Sequence, residues 1–309
     1  MDKDLLKISP DASFQSYLRT FYDVPYAEEI AKLISARKQL ELIADSDLEE
    51  RLGLTPLFEA RYRGTDLVVQ NFVRHHKIFQ ILELGSGMAS LGLSYTLRQP
   101  QLVYIETDLP EVMATKRKLI NQLNPEIPTG LHFISANCLS AEELAEATRK
   151  FCSKEPVLIF NIGLFGYFDD REQNVLAKNV HKLLSQFGGY WITPDPAMHN
   201  QRQREISCHF LTHLIAEQKD QSGSTERRED NCFADEPDAD RFFADHHFSI
   251  QKRSQLDNYE LISPKKLKLP KPQEERILKD INRFGKVWIL SAYTPSLDWD
   301  RSWKNPDHD

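Results

Sequence analysis

The chain lacks the features that mark several common classes of protein. It has 309 residues and a formal net charge of −7, and its basic residues are scattered, which argues against a nucleic-acid partner. The four cysteines form no C-x-x-C pair, so neither a zinc site nor a disulfide framework is indicated. No apolar run reaches about 20 residues, and the first residues have no apolar core for a signal peptide. We therefore expect a cytoplasmic protein with no membrane partner.

Two pairs of histidines do not indicate a metal site. His75 and His76 are adjacent, as are the two histidines of "DHHF" at 245–248, and adjacent side chains point apart. No third ligand accompanies either pair. The sequence therefore predicts no bound metal.

From Ile78 onward, apolar strand-like runs alternate with amphipathic helix-like runs. This alternation predicts an α/β fold: a Rossmann-like, doubly wound, seven-stranded and mainly parallel sheet with helices on both faces. Residues 1–60 have apolar residues at helical spacing and no strand candidate, which predicts a helical N-terminal cap. Thr65 and Asp66 are typical helix-starting residues, so a helix is expected to begin there.

The α/β domain is expected over residues 61–293. Within it, the polar stretch at 216–240 is typical of a mobile acidic loop. Residues 254–283 separate the last two predicted strands and are too long for a tight hairpin, so we expect an insert near the substrate side. Residues 294–309 are expected to form a surface tail.

One glycine-rich turn, within "ILELGSGMASLG" at 81–92, follows the first predicted strand. Gly85 and Gly87 there let a ligand approach the backbone, and the next strands end at Glu106 and Asp108 and at Asn137. The carboxyl ends of parallel strands form the ligand-binding edge of such sheets. A carboxylate there can accept two hydrogen bonds from a ribose diol, and an amide can contact a base, so a nucleoside is favoured. The spacing is wrong for the G-x-G-x-x-G loop of a nicotinamide dehydrogenase, which is the less favoured alternative.

Three segments together resemble a known family. "ILELGSGMASLG", "VYIETDLPEVMATKR" and, upstream, "FEARYRGTDLVVQNFV" are similar to class I S-adenosylmethionine-dependent methyltransferases of the leucine carboxyl methyltransferase-like group. The similarity runs from about Arg61 to Tyr167. It implies methyl transfer from S-adenosylmethionine to an oxygen of a carboxylate or hydroxyl, on a small-molecule or peptide acceptor.

The resemblance also implies roles for individual residues. Arg61 would pair with the methionyl carboxylate, which suits a planar guanidinium. Gly85 and Gly87 would expose the backbone to the cofactor, and Asp108 would hold the ribose hydroxyls with support from Glu106. Asn137 and Cys138 would lie against the adenine. The full set of cofactor-binding candidates is Arg61, Glu83, Gly85, Ser86, Gly87, Glu106, Asp108, Asn137, Cys138 and Asn161.

The sequence departs from the family after the fourth strand, in "FNIGLFGYFDD". Ile162 stands where the family has a glutamate that touches the cofactor near its amino group, and Asn161 is one place earlier. This departure raises a second hypothesis, a non-catalytic protein that binds S-adenosylmethionine or S-adenosylhomocysteine. Tyr167 and His199 are candidates for the substrate pocket, and no residue is identified as a general base.

Overall fold

The computed structural model describes residues 10–38, 52–124, 126–199, 232–257 and 259–292. Most of the predicted acidic loop and the whole predicted tail lie outside these ranges. The run "QREISCHFLTHLIAEQ", whose apolar spacing predicts a helix, also lies outside them. Residues 236–240, which the prediction placed in the loop, begin a helix instead, because Asp235 accepts the Asp238 N–H at 2.8 Å and Pro237 occupies the first turn.

A single seven-stranded sheet forms the centre of the described chain, in the order β3-β2-β1-β4-β5-β7-β6. Strands β1 to β5 are parallel, and β7 runs antiparallel to both β5 and β6. The strands are β1 (Gln80–Leu84), β2 (Val103–Asp108), β3 (Leu131–Ser135), β4 (Val157–Phe160), β5 (Gly189–Thr193), β6 (Ser249–Ser254) and β7 (Lys286–Ser291). The predicted fold class is confirmed. Strand order reverses between β1 and β4, which makes their carboxyl ends the expected ligand crevice.

Helices cover both faces of the sheet. The described helices are α1 (Pro10–Leu18), α2 (Ala27–Leu33), α3 (Thr55–His75), α4 (Leu91–Arg98), α5 (Pro110–Leu123), α6 (Ala141–Ala147), α7 (Asp170–Phe187), α8 (Glu236–Asp245), α9 (Ser263–Lys266) and α10 (Lys271–Phe284). Successive strand side chains point to opposite faces. Ile81 accordingly packs in a core with α3, α4 and α5, whereas Leu82 packs in a core with α6, α7 and α8. No helix in the described ranges is long and apolar enough to span a membrane.

Helix α3 begins earlier than the sequence predicts. It starts at Thr55, with Pro56 in its first turn, so the expected domain boundary at residue 60 falls inside one continuous helix. Thr65 does not cap a helix start, because its hydroxyl donates to the Arg61 carbonyl at 2.8 Å within the helix. Asp66 is buried and accepts hydrogen bonds from Arg63 and Tyr95. Inside α3, Thr65 therefore makes a hydrogen bond within the helix, and Asp66 makes a tertiary contact.

The N-terminal helices cover the segment that follows the glycine turn. Ile30 and Ile34 pack against Met88 and Leu119, and the Ser90 hydroxyl donates to the Pro25 carbonyl at 2.5 Å. The start of α4 is therefore held between the sheet and the described part of the cap.

The described part of the 254–283 insert docks on α3 through one buried carboxylate. Glu59 accepts the Tyr259 hydroxyl at 2.6 Å and the backbone N–H groups of Ile262 and Ser263 at 2.7 and 2.8 Å. Because β6 runs in the same direction as β5, the insert leaves the sheet at the carboxyl edge. The insert thus lies at the same edge of the sheet as the glycine turn.

Candidate functional site

The glycine turn connects β1 to α4 at the carboxyl edge of the sheet. Gly85 and Gly87 have φ values of 63° and 49°, in the left-handed region that glycine adopts without a steric penalty. A Cβ on Gly87 would meet nothing within 4 Å, whereas one on Gly85 would lie 2.8 Å from the Leu164 side chain. Gly163, at the end of β4, also has a positive φ and open space around it. The carboxyl ends of β1 and β4 therefore expose backbone to the crevice.

Asp108 is fixed at the end of β2 by two backbone donors. One of its oxygens accepts the Gly87 N–H and the other accepts the Leu109 N–H, both at 2.8 Å. Burial raises the pKa of this carboxyl, while the two N–H donors and Lys116 act in the opposite direction. An ionised carboxylate offers about four acceptor sites, so two remain for a ligand.

Glu106 and Lys116 form a buried ion pair behind the turn. The Lys116 Nζ lies 2.5 Å from the Glu106 carboxylate, and both side chains are fully buried. The same Nζ donates to the Ser86 carbonyl at 3.2 Å. The pair therefore ties β2 and α5 to the middle residue of the glycine turn, and any support from Glu106 to a ligand is indirect.

Glu83 is the second buried carboxylate below the turn and lies beside Glu106 in the register of β1 and β2. Its carboxylate accepts the Tyr104 hydroxyl at 2.8 Å. Burial raises the pKa of Glu83 to about 7; Lys116 opposes this shift and the Glu106 charge adds to it. Lys116 thus opposes the effect of burial at two neighbouring carboxyls, and burial raises the pKa of both.

This raised pKa predicts a pH-dependent effect of Glu83→Gln. A carboxyl whose pKa is higher in the folded protein than in the unfolded chain contributes to stability fully below its pKa in the unfolded chain. This contribution is lost as the pH rises through the pKa of the folded protein. Relative to wild type, Glu83→Gln is therefore expected to gain stability between pH 5 and pH 8, by about 3 kcal/mol at most. Urea unfolding of both proteins across this range measures the difference. The exposed Glu111→Gln is the control, and a difference for Glu83→Gln that does not change with pH would contradict the prediction.

Arg61 points to the end of β5 and contacts Asp195 there. Its Nη2 donates to Asp195 Oδ1 at 2.5 Å. The same carboxylate accepts the backbone N–H groups of Gly163, Leu164 and Phe165 at 2.7, 2.6 and 3.1 Å. Burial alone would raise the pKa of Asp195, but Arg61 and the N–H donors outweigh it, so the pKa lies below its usual range. Asp195 is therefore a buried anion that holds Arg61 beside the turn after β4.

Asn161 is part of the same buried network. Its Nδ2 donates to Asp195 at 2.7 Å and to Thr193 at 3.1 Å, and its Oδ1 accepts the Trp191 Nε1–H at 2.7 Å. The Asn161 side chain therefore faces β5 and is fully buried, and the contact of Asn161 with the cofactor stays a prediction. Ile162, two residues beyond the end of β4, packs against the apolar core under α3.

Asn137 and Cys138 follow β3 on the far side of Asp108. The side-chain oxygen of Asn137 accepts the Leu139 N–H at 2.9 Å, and the backbone N–H of Asn137 donates to the Glu143 carboxylate at 2.8 Å. Cys138 is buried, and burial raises the pKa of its thiol to about 12, with a smaller contribution from the Asp108 charge. This thiol stays protonated at neutral pH and is an apolar wall near Asp108.

Tyr167 and His199 lie on two different segments at this edge. Tyr167 ends the short 3₁₀ helix Phe165–Tyr167 and packs against the core under α7. His199 is exposed, and its backbone N–H donates to the Phe233 carbonyl at 3.0 Å. Within the described ranges, no group of three metal-ligating side chains is present.

Sequence reasoning missed Asp195 and Lys116 as parts of this site. The signal for Asp195 was present in "TPDP", because an acid between two prolines at a strand end is rigidly placed. Lys116 lies in the "KR" of the motif, three to four residues from apolar positions of α5. The burial of Lys116 depends on how α5 packs on the sheet, which the sequence pattern does not show.

The comparisons with known proteins agree with this geometry. The family model described as leucine carboxyl methyltransferase matches residues 18–181, slightly more than half of the 309 residues. The chain belongs to the leucine carboxyl methyltransferase family. This confirms the resemblance seen in the sequence, and S-adenosylmethionine is the cofactor that goes with this family. The matched range includes much of the cap, where sequence reasoning had found little similarity.

Two solved structures share the fold at low sequence identity. A DUF574 family protein from Streptomyces avermitilis is 12% identical with a TM-score of 0.56, and the match covers 93% of this chain and 98% of that one. A putative methyltransferase from Thermobifida fusca is 14% identical with a TM-score of 0.53, covering 94% and 96%. No curated protein matches the chain. These similarities show the fold over nearly the whole chain.

The residues of the crevice fit S-adenosylmethionine. Ser86 Oγ and Arg61 Nε are buried and have no hydrogen-bond partner among the residues that the structure describes. Such atoms are costly unless a ligand or water satisfies them. They lie on the same crevice as the open backbone at Gly87 and Gly163 and the two remaining acceptor sites of Asp108. Donors for a carboxylate, acceptors for a diol and exposed backbone match the two ends of this cofactor.

Proposed function

We propose that this methyltransferase-family protein transfers the methyl group of S-adenosylmethionine to an oxygen of a carboxylate or hydroxyl, on a small molecule or a protein terminus. The observation that carries the proposal is Asp108, whose two oxygens are each fixed by a backbone N–H next to the open Gly87. A diol-binding carboxylate that is already oriented loses little entropy when the ribose binds.

Nine of the ten candidate residues have a proposed role at the cofactor. Asp108 accepts the ribose hydroxyls, and the backbone at Gly85, Ser86 and Gly87 contacts the methionine and ribose. Arg61 donates to the methionyl carboxylate. Asn137 and Cys138 line the adenine side. Behind these residues, Glu83 and Glu106 support the turn through the buried network with Lys116.

The chemistry asked of the protein is mainly positioning. When bound, S-adenosylmethionine supplies an electrophilic methyl group on a positively charged sulfur. The chain must hold the acceptor oxygen in line with that methyl and exclude water, and such alignment lowers barriers by up to about 7–11 kcal/mol. A carboxylate acceptor is already ionised and needs no general base. Tyr167 and His199, at the same edge, are proposed to contact the acceptor.

Binding of the cofactor is the first test. S-Adenosylmethionine or S-adenosylhomocysteine at about 100 times its Kd is expected to raise the free energy of unfolding by about 2.7 kcal/mol. A thermal shift assay with adenosine as the control ligand measures the effect. A folded protein that shows no shift with either ligand contradicts the proposal.

The acceptor atom is tested with S-adenosylmethionine labelled in its methyl group and a panel of carboxylates, phenols and peptide C-termini. Carboxyl methyl esters release labelled methanol in mild base, whereas ethers and methylamines do not. Base-labile label indicates a carboxylate acceptor, and stable label on a phenol indicates a hydroxyl acceptor. Label on nitrogen or carbon would contradict O-methylation.

The second candidate is a protein that binds the cofactor without transferring its methyl group. Ile162 favours it, because this side chain packs in the apolar core where the family has a glutamate. Cofactor binding with no labelled product across the panel at stoichiometric enzyme supports this candidate. Any product that forms in proportion to enzyme excludes it.

A further inference from the structure

Arg61 uses only part of its donor capacity on the protein. Its Nη2 donates one hydrogen bond to Asp195, and its Nε is buried without a partner among the described residues. A guanidinium has five N–H donors in a rigid plane. The contact with Asp195 therefore fixes the direction of the plane and leaves further donors for a second anion.

Asp195 cannot serve as a second ligand for the cofactor in place of the missing family glutamate. Its Oδ1 accepts from Arg61 and Gly163, and its Oδ2 accepts from Asn161, Leu164 and Phe165. The side chain has no exposed surface. All of its acceptor sites are engaged, so its effect on a ligand must pass through Arg61 or through the turn at 163–165.

The position of Asp195 is itself rigidly determined. Pro194 and Pro196 flank it and restrict the local backbone. Its backbone N–H donates to the Thr193 hydroxyl at 3.2 Å, and Thr193 also contacts Asn161. The network thus joins the ends of β4 and β5 to one residue of α3. A guanidinium held this way loses little freedom when it binds a carboxylate.

From these contacts we infer that Asp195 is the positioning residue that orients Arg61 and the 163–165 turn for the amino-acid end of the cofactor. This inference rests on the proposed function. In this chain the acid near the amino-acid end follows β5 and acts on the arginine, whereas position 162, which follows β4, is apolar. Asp195 therefore controls how strongly the protein prefers a nucleoside with an amino-acid tail over one without it.

The test compares two ligands that differ only in that tail. S-Adenosylhomocysteine carries the carboxylate and amine, and 5′-methylthioadenosine lacks both. In calorimetric titrations, Asp195→Asn is expected to weaken the binding of S-adenosylhomocysteine at least about tenfold, or about 1.4 kcal/mol. The affinity for 5′-methylthioadenosine is expected to change less than about threefold. Arg61→Lys keeps the charge but loses the fork, and the same selective loss is expected. In an Arg61→Gln background, Asp195→Asn is expected to lower the affinity for S-adenosylhomocysteine less than it does in wild type, since only its effect through the 163–165 turn remains.

The same helix offers a matched control. Asp66 is also buried and ion-paired, with Arg63 at 2.6 Å on another side of α3. Asp66→Asn is expected to leave the ratio of the two affinities unchanged. An unchanged ratio in both Asp195→Asn and Arg61→Lys overturns the inference while the proposed function stands. A wild-type protein that binds 5′-methylthioadenosine as tightly as S-adenosylhomocysteine overturns the inference as well, and one that binds neither overturns the proposed function.

Discussion

Lys116→Met is expected to destabilise the protein by about 3–5 kcal/mol near pH 8, the usual cost of leaving one member of a buried ion pair without its partner. Lys116 and Glu106 are both fully buried, with Nζ 2.5 Å from the carboxylate. Burial already raises the pKa of Glu106 against the opposing effect of Lys116, so the uncompensated carboxyl will bind a proton more readily still. The loss should therefore be smaller at pH 5 than at pH 8, since the buried carboxyl is then neutral.

Urea unfolding at the two pH values measures this effect. The double variant Lys116→Met/Glu106→Gln removes both charges and is expected to recover much of the lost stability at pH 8. A loss below about 1 kcal/mol for Lys116→Met at pH 8 would show that water or another cation compensates Glu106. The folded fraction of the single variant should also bind S-adenosylhomocysteine more weakly, because Nζ no longer holds the Ser86 carbonyl.

The sheet was predictable from the sequence because its signal is local. Each of the five parallel strands is a short apolar run, and each predicted helix that follows has one apolar face. The start of α3 was not predictable by the same means. Thr65 and Asp66 have side chains that suit a helix start, but inside α3 they satisfy the Arg61 carbonyl and the Tyr95 hydroxyl. A partner within the helix and a tertiary partner thus replace the capping role.

The site was predictable only where it lies on consecutive strand ends. Gly87 and Asp108 are identified by their positions after β1 and β2, and the structure joins them by a hydrogen bond. Asp195 and Arg61 are 134 residues apart, and no spacing rule connects them. Their contact depends on how α3 crosses the sheet. Asn161 and Asp195 are 34 residues apart, so the sequence does not reveal their hydrogen bond either.

Asp108→Asn is expected to weaken S-adenosylmethionine and S-adenosylhomocysteine binding by at least about a hundredfold. Two hydrogen bonds from ribose hydroxyls to a carboxylate contribute about 1.5–3 kcal/mol each, and a hundredfold change corresponds to about 2.8 kcal/mol. An asparagine also places an NH₂ group against the N–H of either Gly87 or Leu109, since both oxygens of Asp108 accept a backbone hydrogen bond. The variant thus loses acceptors for the ligand and disturbs the turn that the ligand contacts.

Two controls separate these effects in the same calorimetric titration. Asp235→Asn alters another aspartate that accepts a backbone N–H, at the start of α8, and should leave cofactor affinity unchanged. An analogue of S-adenosylhomocysteine without the ribose 2′-hydroxyl should already bind the wild-type protein weakly. Asp108→Asn should lower its affinity less than the affinity of the parent ligand. If the analogue and the parent lose affinity equally, Asp108 acts by shaping the Gly87 turn and does not bind the diol. If neither loses affinity, the ribose is held elsewhere, and the assignment of the β2 end as the nucleoside site is wrong.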